Sequence, residues 1–334
     1  MKKILSLLFL FCSMWAFSAG HWTTLRLEDN QSPKNDIRSI CFDKQGNMWV
    51  GTWYGIYKYE NGQWQIKGLE NGYVETLFID NKDIKWVGLW GGGLCKCDDD
   101  KNWNKVKEAS PYNSINVVSA DRKGHIWVGD YGGGAVNLEP KGEVNSDNKT
   151  GGDAAAKEDK WVVYKADKVN LGDNSILSIT ADAKGRTWFG TYHGVSVLEN
   201  SQWTLFNKQN SQLPDNDIYS LCSDLKDNVW VGTCNGVAKV SGSKWTVYKK
   251  DNSGLVSNLI LSLATDTKGN VWIGTNKGLS VFNGVKWTTY TVENGSLPDN
   301  RVQTITVYKN KVYVGTSSGI SVWDESLVSS KNLR

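Results

Sequence analysis

Nucleophilic or acid–base chemistry has little to work with in this chain. It holds three histidines, His21, His125 and His193, and none can be placed in a Ser-His-Asp or Cys-His arrangement. Six cysteines are present, of which Cys41, Cys95, Cys97, Cys222 and Cys234 lie beyond the N-terminal leader. An odd count leaves at least one thiol unpaired if the others bridge. Cys95 and Cys97 sit two apart on one strand face, poorly placed to bond each other. No second pair stands at zinc-ligand spacing, so these residues read as small buried hydrophobes. The run Asp98-Asp99-Asp100 lacks the spacing of a calcium loop and reads as a solvated turn. No metal and no cofactor is expected. The chain is rich instead in rings and glycines, with 17 Trp, 13 Tyr and 34 Gly in 334 residues. Aromatic rings beside polar groups stack on sugar faces or anchor a protein partner, which is binding rather than catalysis.

The rings fall into two sets once the repeats are aligned. Segments 43–55, 80–92, 121–133, 182–194, 224–236 and 266–278 superimpose on one Trp each. A seventh, 312–319, has Tyr in its place. Trp49, Trp86, Trp127, Trp188, Trp230, Trp272 and Tyr313 recur at one position and read as packing. The two residues before the closing glycine do not recur. They are Trp53-Tyr54, Trp90-Gly91, Asp130-Tyr131 and Tyr192-His193 in the first four repeats, then Cys234-Asn235, Asn276-Lys277 and Ser317-Ser318. Packing explains such residues poorly. Trp53, Tyr54, Trp90, Asp130, Tyr131, Tyr192 and His193 are therefore the candidate ligand-binding residues, on an arc of one face. Arg38, Glu75, Asn116 and Tyr219 share an equivalent position nearby. The repeated aspartates Asp43, Asp121, Asp182 and Asp266 read as turn residues rather than metal ligands.

The elements that position these residues follow from the repeat. Each copy reads as four short strands: an apolar strand A, a turn with Asp and Gly or Asn, a strand B ending Val-Gly-Thr, a glycine-closed turn into strand C, and a strand D opened by Trp64, Trp103, Trp161, Trp203, Trp245 or Trp287. The fold class is all-β, a seven-bladed propeller of four-stranded blades. The seventh repeat lacks a strand D Trp, and His21-Trp22-Thr23-Thr24-Leu25 matches Lys286-Trp287-Thr288-Thr289-Tyr290, so the N-terminal strand is expected to complete the last blade. Trp127 and Trp188 are 61 residues apart where 37 to 42 separate the other neighbours. The excess, 139–160, reads as a polar loop inserted in blade 3.

Residues 1–19 read as a leader, with Lys2-Lys3, an apolar run over 4–11 and Ala16-Phe17-Ser18 suited to cleavage near residues 18–20. Phe11 is too bulky to precede a lipidated Cys12, and the apolar run is too short to span a bilayer. The expected compartment is periplasmic or extracellular. Residues 20–334 form the propeller, expected to be monomeric. The net charge of +3 includes Lys2 and Lys3 and gives no basis for nucleic-acid binding.

The repeat resembles the two-component regulator propeller family, whose pattern pairs an Asn-x-Val-x-Ser-Ile strand with an Asp-x-x-Gly-Asn-x-Trp-Ile-Gly-Thr-x-x-Gly-Leu hairpin. Here it stands as Asn35-Asp36-Ile37-Arg38-Ser39-Ile40 and Asp43-Lys44-Gln45-Gly46-Asn47-Met48-Trp49-Val50-Gly51-Thr52-Trp53-Tyr54-Gly55-Ile56. The resemblance runs from residue 21 to about 323. It implies the periplasmic sensor portion of a hybrid histidine kinase, with oligosaccharides as ligands. No Ig-like, membrane-spanning, kinase or receiver segment is read in these residues, so any signal is expected to pass through a partner. Two other readings stay open: a scaffold docking a protein of an envelope or secretion assembly, and a lyase or hydrolase for which His193 is the one candidate.

Overall fold

The computed structural model describes residues 21–28, 32–107, 113–139 and 160–326. The leader 1–19 and nearly all of the blade 3 insertion lie outside them. The described residues form seven four-stranded antiparallel sheets. Blade 1 is Ile37–Phe42, Met48–Thr52, Gly55–Glu60 and Gln63–Gly68 as strands A to D. Blades 2 to 6 repeat this order along the chain. Blade 7 takes Val302–Tyr308, Lys311–Thr316 and Gly319–Asp324 from the C-terminal end and His21–Leu25 as its strand D. The closing pair aligns Trp22 with Trp323 and Leu25 with Ile320. An open stack would leave one blade face uncovered at each end; the closed ring packs every blade face on a neighbour and leaves only short strand edges.

The core is a set of seven clusters, one at each junction between blades. Trp49 packs on Val74, Leu77 and Val87 of blade 2; Trp188 packs on Leu213, Ile218 and Leu221 of blade 5. The strand B tryptophans are at most 4% exposed. At the closing junction the partly buried Tyr313 stands where Trp stands elsewhere, against Ile37, Ile40, Met48 and Val50.

The Trp, Gly and Thr of the Trp-Val-Gly-Thr motif each have a physical task. The indole Nε1 donates to the aspartate six residues earlier in five blades, at 2.8 to 3.0 Å: Asp43, Asp80, Asp182, Asp224 and Asp266. The same carboxylates accept turn N–H groups, as Asp43 does from Asn47 at 2.8 Å. The turn reading of these aspartates therefore holds, with the indole bond as an addition. Burial raises the Asp43 carboxyl, but the bonds from Trp49 and Asn47 outweigh it and hold the group below its ordinary value. The motif glycine leaves room for the next blade: a Cβ on Gly232 would lie 2.6 Å from Ile260 Cγ2, and one on Gly88 2.4 Å from Ile115 Cγ2. The threonine hydroxyl caps the following turn. Thr191 Oγ1 donates to Gly194 O at 2.8 Å and accepts from His193 N at 3.1 Å.

The loops that carry function are tied as tightly. Asn35, Asn174, Asn216, Asn258 and Asn300 each accept, through Oδ1, the backbone N–H eight residues earlier, at 2.7 to 2.9 Å. This clamps the D–A loops and accounts for the asparagine that opens the strand A motif. The closing glycine bonds the same loop: Gly236 N donates to Asn258 O at 2.7 Å. Its φ of +119° and the Tyr248 carbonyl 2.7 Å from where a Cβ would sit leave glycine as the residue that fits.

The aspartate run of blade 2 needs a correction. Asp100 is not a solvated turn residue. It bridges Lys58 at 3.1 Å and Lys85 at 2.6 Å, and both lysines are buried, over the Trp49 ring at 5.2 and 5.3 Å. The partners are distant in sequence, which hid them. Asp99 does cap its own turn, accepting from Lys101 N and Asn102 N. All five cysteines of the propeller are free, with Cys95 and Cys97 buried. Cys41 is pushed up to about 12 by burial and donates its thiol to Leu77 O.

Candidate functional site

The antiparallel blades place the B–C turns and D–A loops on one face, here the upper face, and the A–B and C–D turns on the other. In all seven blades the strand A ladder slips by one residue near the upper face. The slips fall at Arg38, Glu75, Asn116, Leu177, Tyr219, Leu261 and Gln303. Each is a β-bulge, which frees a side chain from the ladder and re-aims it. The sequence marks this position, but only the bulge accounts for its direction. Arg38, Glu75, Asn116 and Leu177 line an upper-face cavity of about 710 Å³ together with Trp53, Tyr73, Trp90, Tyr131 and Tyr192.

Four of the seven candidate residues thus meet in one cavity: Trp53, Trp90, Tyr131 and Tyr192. The other three do not line it, and register explains why. Thr52 pairs with Gly55 and Thr191 with Gly194, enclosing two turn residues. Leu89 pairs with Gly93 and Asp130 with Gly134, enclosing three. Blades 2 and 3 therefore carry one extra glycine, and the strands begin at Gly93 and Gly134 rather than one residue earlier. Asp130 is the last residue of strand B, in the place of the capping threonine, and is fully buried. Tyr131 is the equivalent of Trp53, Trp90 and Tyr192. All four occupy the first residue after strand B. Tyr54 and His193 are second residues and do not line the cavity; His193 Nδ1 lies 2.9 Å from Asp173 Oδ2 on an exposed ring.

The cavity is braced by its own polar groups. Glu75 accepts from both Arg38 Nη2, at 2.9 Å, and Trp53 Nε1, also at 2.9 Å. Arg38 lies 4.7 Å over the Trp53 ring and donates through Nη1 to Gln303 at 2.6 Å. Gln303 in turn bonds Asp36. Trp53 is thus held on its edge by Glu75 and on its face by Arg38, which fixes a flat ring at the cavity wall. Tyr73 meets Trp53 edge-on at 6.1 Å, Trp90 meets Tyr131 at 5.3 Å, and Tyr131 meets Tyr192 at 6.3 Å. Trp53, Tyr73, Trp90 and Tyr131 nevertheless stay 39 to 53% exposed. Burial, with Tyr131 and Tyr219 nearby, pushes the Tyr192 phenol up to about 12, so it remains a neutral hydrogen-bond donor.

Sequence reasoning missed Tyr73 and Leu177. Tyr73 comes from the D–A loop, where no repeat position marks it, and its φ of +47° is unusual for an aromatic. Leu177 is visible as the blade 4 member of the strand A set. Beside the arc, in blade 5, Asp215, Asp217 and Cys234 bring three ligand-type atoms within 4.8 Å of one another. Burial and the two aspartates push the Cys234 thiol up to about 11.

The class this geometry defines is a seven-bladed propeller with an aromatic cavity at one mouth of its ring. Residues 31–54, 170–193 and 254–277 match the family described as Two component regulator propeller. No curated protein matches the chain in sequence. Among solved structures, the extracellular domain of the hybrid two component system BT3049 from B. thetaiotaomicron superimposes with a TM-score of 0.76 at 23% identity, over 94% of this chain and 42% of that one. The chain thus spans about two fifths of that structure's length. Virginiamycin B lyase from Staphylococcus aureus gives 0.70 at 11% identity, over 90% of this chain and 98% of the enzyme. PorZ, a bacterial surface component of the type-IX secretion system of Porphyromonas gingivalis, gives 0.64 at 17%, over 86% and 46%. At such identities the likeness is one of fold. No helix among the described residues is long and apolar enough to cross a membrane.

Proposed function

We propose that this chain is a non-catalytic, extracytoplasmic ligand-binding propeller of the sensor type, and that its upper-face cavity holds a segment of an oligosaccharide. The observation that carries this is the placement of four aromatics at one turn position of four consecutive blades, around a cavity that also receives Arg38, Glu75 and Asn116. Flat, partly exposed rings with fixed polar groups between them suit the apolar faces and hydroxyl edges of sugars. The regulator-propeller repeat supports the sensor reading, and the apolar leader over residues 1–19 supports the compartment. His193 takes no catalytic part in this reading, because its ring does not line the cavity.

Titration of the chain with a panel of oligosaccharides, followed by intrinsic tryptophan fluorescence, tests the proposal. At least one glycan should perturb the emission, and Trp53→Ala with Trp90→Ala should weaken its binding about 30-fold or more, the scale of a lost aromatic anchor. Capture of an envelope protein through the same rings, with no glycan response, would favour the scaffold reading instead. The exposed Trp53, Tyr73, Trp90 and Tyr131 would serve that role equally.

A further inference from the structure

On the lower face, small cavities open beside the strand B tryptophans. The one at Trp86 is about 170 Å³ and the one at Trp272 about 140 Å³. The one at Trp127, between blades 3 and 4, is about 340 Å³. Blade 3 departs from its sisters there in two ways. In five other blades the indole N–H is taken by the turn aspartate. In blade 3 Asp121 faces His125 Nδ1 at 3.1 Å instead, and Trp127 Nε1 has no partner among the described residues. The cross-strand neighbour of the tryptophan is Lys58, Lys96 or Lys239 in blades 1, 2 and 5, with the ammonium 5.2 to 5.7 Å from the ring. In blade 3 it is Asn137, whose Oδ1 is likewise without a partner among the described residues. Both residues are buried, at 2% and 5% exposure, and both line the cavity.

A buried donor and a buried acceptor left unpaired are costly, and here they face one space walled by Trp127, Tyr164 and Trp203. We infer that this cavity is a second binding site, independent of the upper one, for a small neutral polyhydroxylated ligand of monosaccharide size. A hydroxyl group both accepts from an indole N–H and donates to an amide oxygen, so it answers the two orphaned atoms with one functional group. The aromatic walls suit the apolar face of a sugar ring. The cavity carries charges of both signs, Lys123 with Asp121 and Glu139, and Asp121 is already engaged by His125, which suits a neutral ligand better than an anion.

The test is calorimetric titration of the chain with glucose, galactose, mannose and N-acetylglucosamine, on the wild type and three variants. His125→Asn with Asn137→Lys gives blade 3 the residue pair of blades 1 and 5, in which Asn47 and Asn228 bond the aspartate that also holds the indole. Trp127→Phe keeps an aromatic wall but removes the indole donor and narrows the ring. Trp53→Ala with Trp90→Ala alters only the upper face. At least one sugar should bind the wild type. The blade 3 double variant and Trp127→Phe should each weaken it about tenfold or more, the scale of a lost hydrogen bond with its buried partner left unmet, and the upper-face variant should leave it unchanged. The blade 3 double variant should also melt at a higher temperature, showing that it folds. If no sugar binds, if the double variant binds as the wild type does, or if the upper-face variant abolishes binding, the inference fails and ordered water satisfies the two atoms. Failure here leaves the upper-face reading intact, because that reading is judged on other residues.

Discussion

Blades 1 to 4 and blades 5 to 7 share a scaffold and differ in what they display on it. The motif glycine makes room for the next blade's strand A in both arcs, at Gly88 as at Gly232. The strand A bulge occurs in both. At the first residue after strand B, one arc shows Trp53, Trp90, Tyr131 and Tyr192, and the other Cys234, Asn276 and Ser317. Since the second arc closes its turns without a ring, the rings of the first are not needed to build a blade. The difference separates residues that make the propeller from residues that give it a face to bind with.

The largest predicted effect checks that separation within one residue type. Trp230→Ala should cost about 3 to 5 kcal/mol, because it empties the junction of blades 5 and 6. Trp90→Ala, on the rim, should cost less than about 1 kcal/mol. Comparable shifts in the two denaturation curves would erase the distinction.

The next concerns the junction beneath the aromatic arc. Asp100→Asn leaves Lys58 and Lys85 buried with a weakened counter-charge and should destabilise by about 3 kcal/mol. Burial raises the Asp100 carboxyl, but its bonds to the two lysines outweigh that and hold it below its ordinary value. Its contribution is therefore complete above about pH 4 and is lost as pH falls through the depressed folded value. Acid titration of stability should show a shallower acid limb in the variant than in the wild type.

The fold was legible because packing repeats. Each junction needs a ring, a gap for the neighbour and a turn, so Gly51 has a counterpart in all seven blades and Trp49 and Asp43 in six, and the matching Trp22 strand exposed the ring closure. The site was legible only in part. Aligning on the closing glycine put Asp130 on the rim, and the extra glycine of blades 2 and 3 moved it into the core. Tyr73 sits in a D–A loop outside the repeated pattern. Asp100 finds its partners through the blade 1 and blade 2 junction rather than through neighbours in sequence. What repetition does not impose, the repeat could not announce.

A smaller effect tests whether the rim position is free. Ser317→Trp places a ring at the equivalent site of blade 7, and stability should change by no more than about 0.5 kcal/mol. A large loss would mean that this position carries structure in the second arc.

The most direct measurement compares the arcs as binding surfaces. The affinity of the best glycan should be measured for Trp90→Ala with Tyr131→Ala and for Cys234→Ala with Ser317→Ala, each pair folded and of wild-type stability. The account predicts a loss of about 30-fold or more for the first pair and less than about threefold for the second. Equal losses, or a loss confined to the second pair, would contradict it.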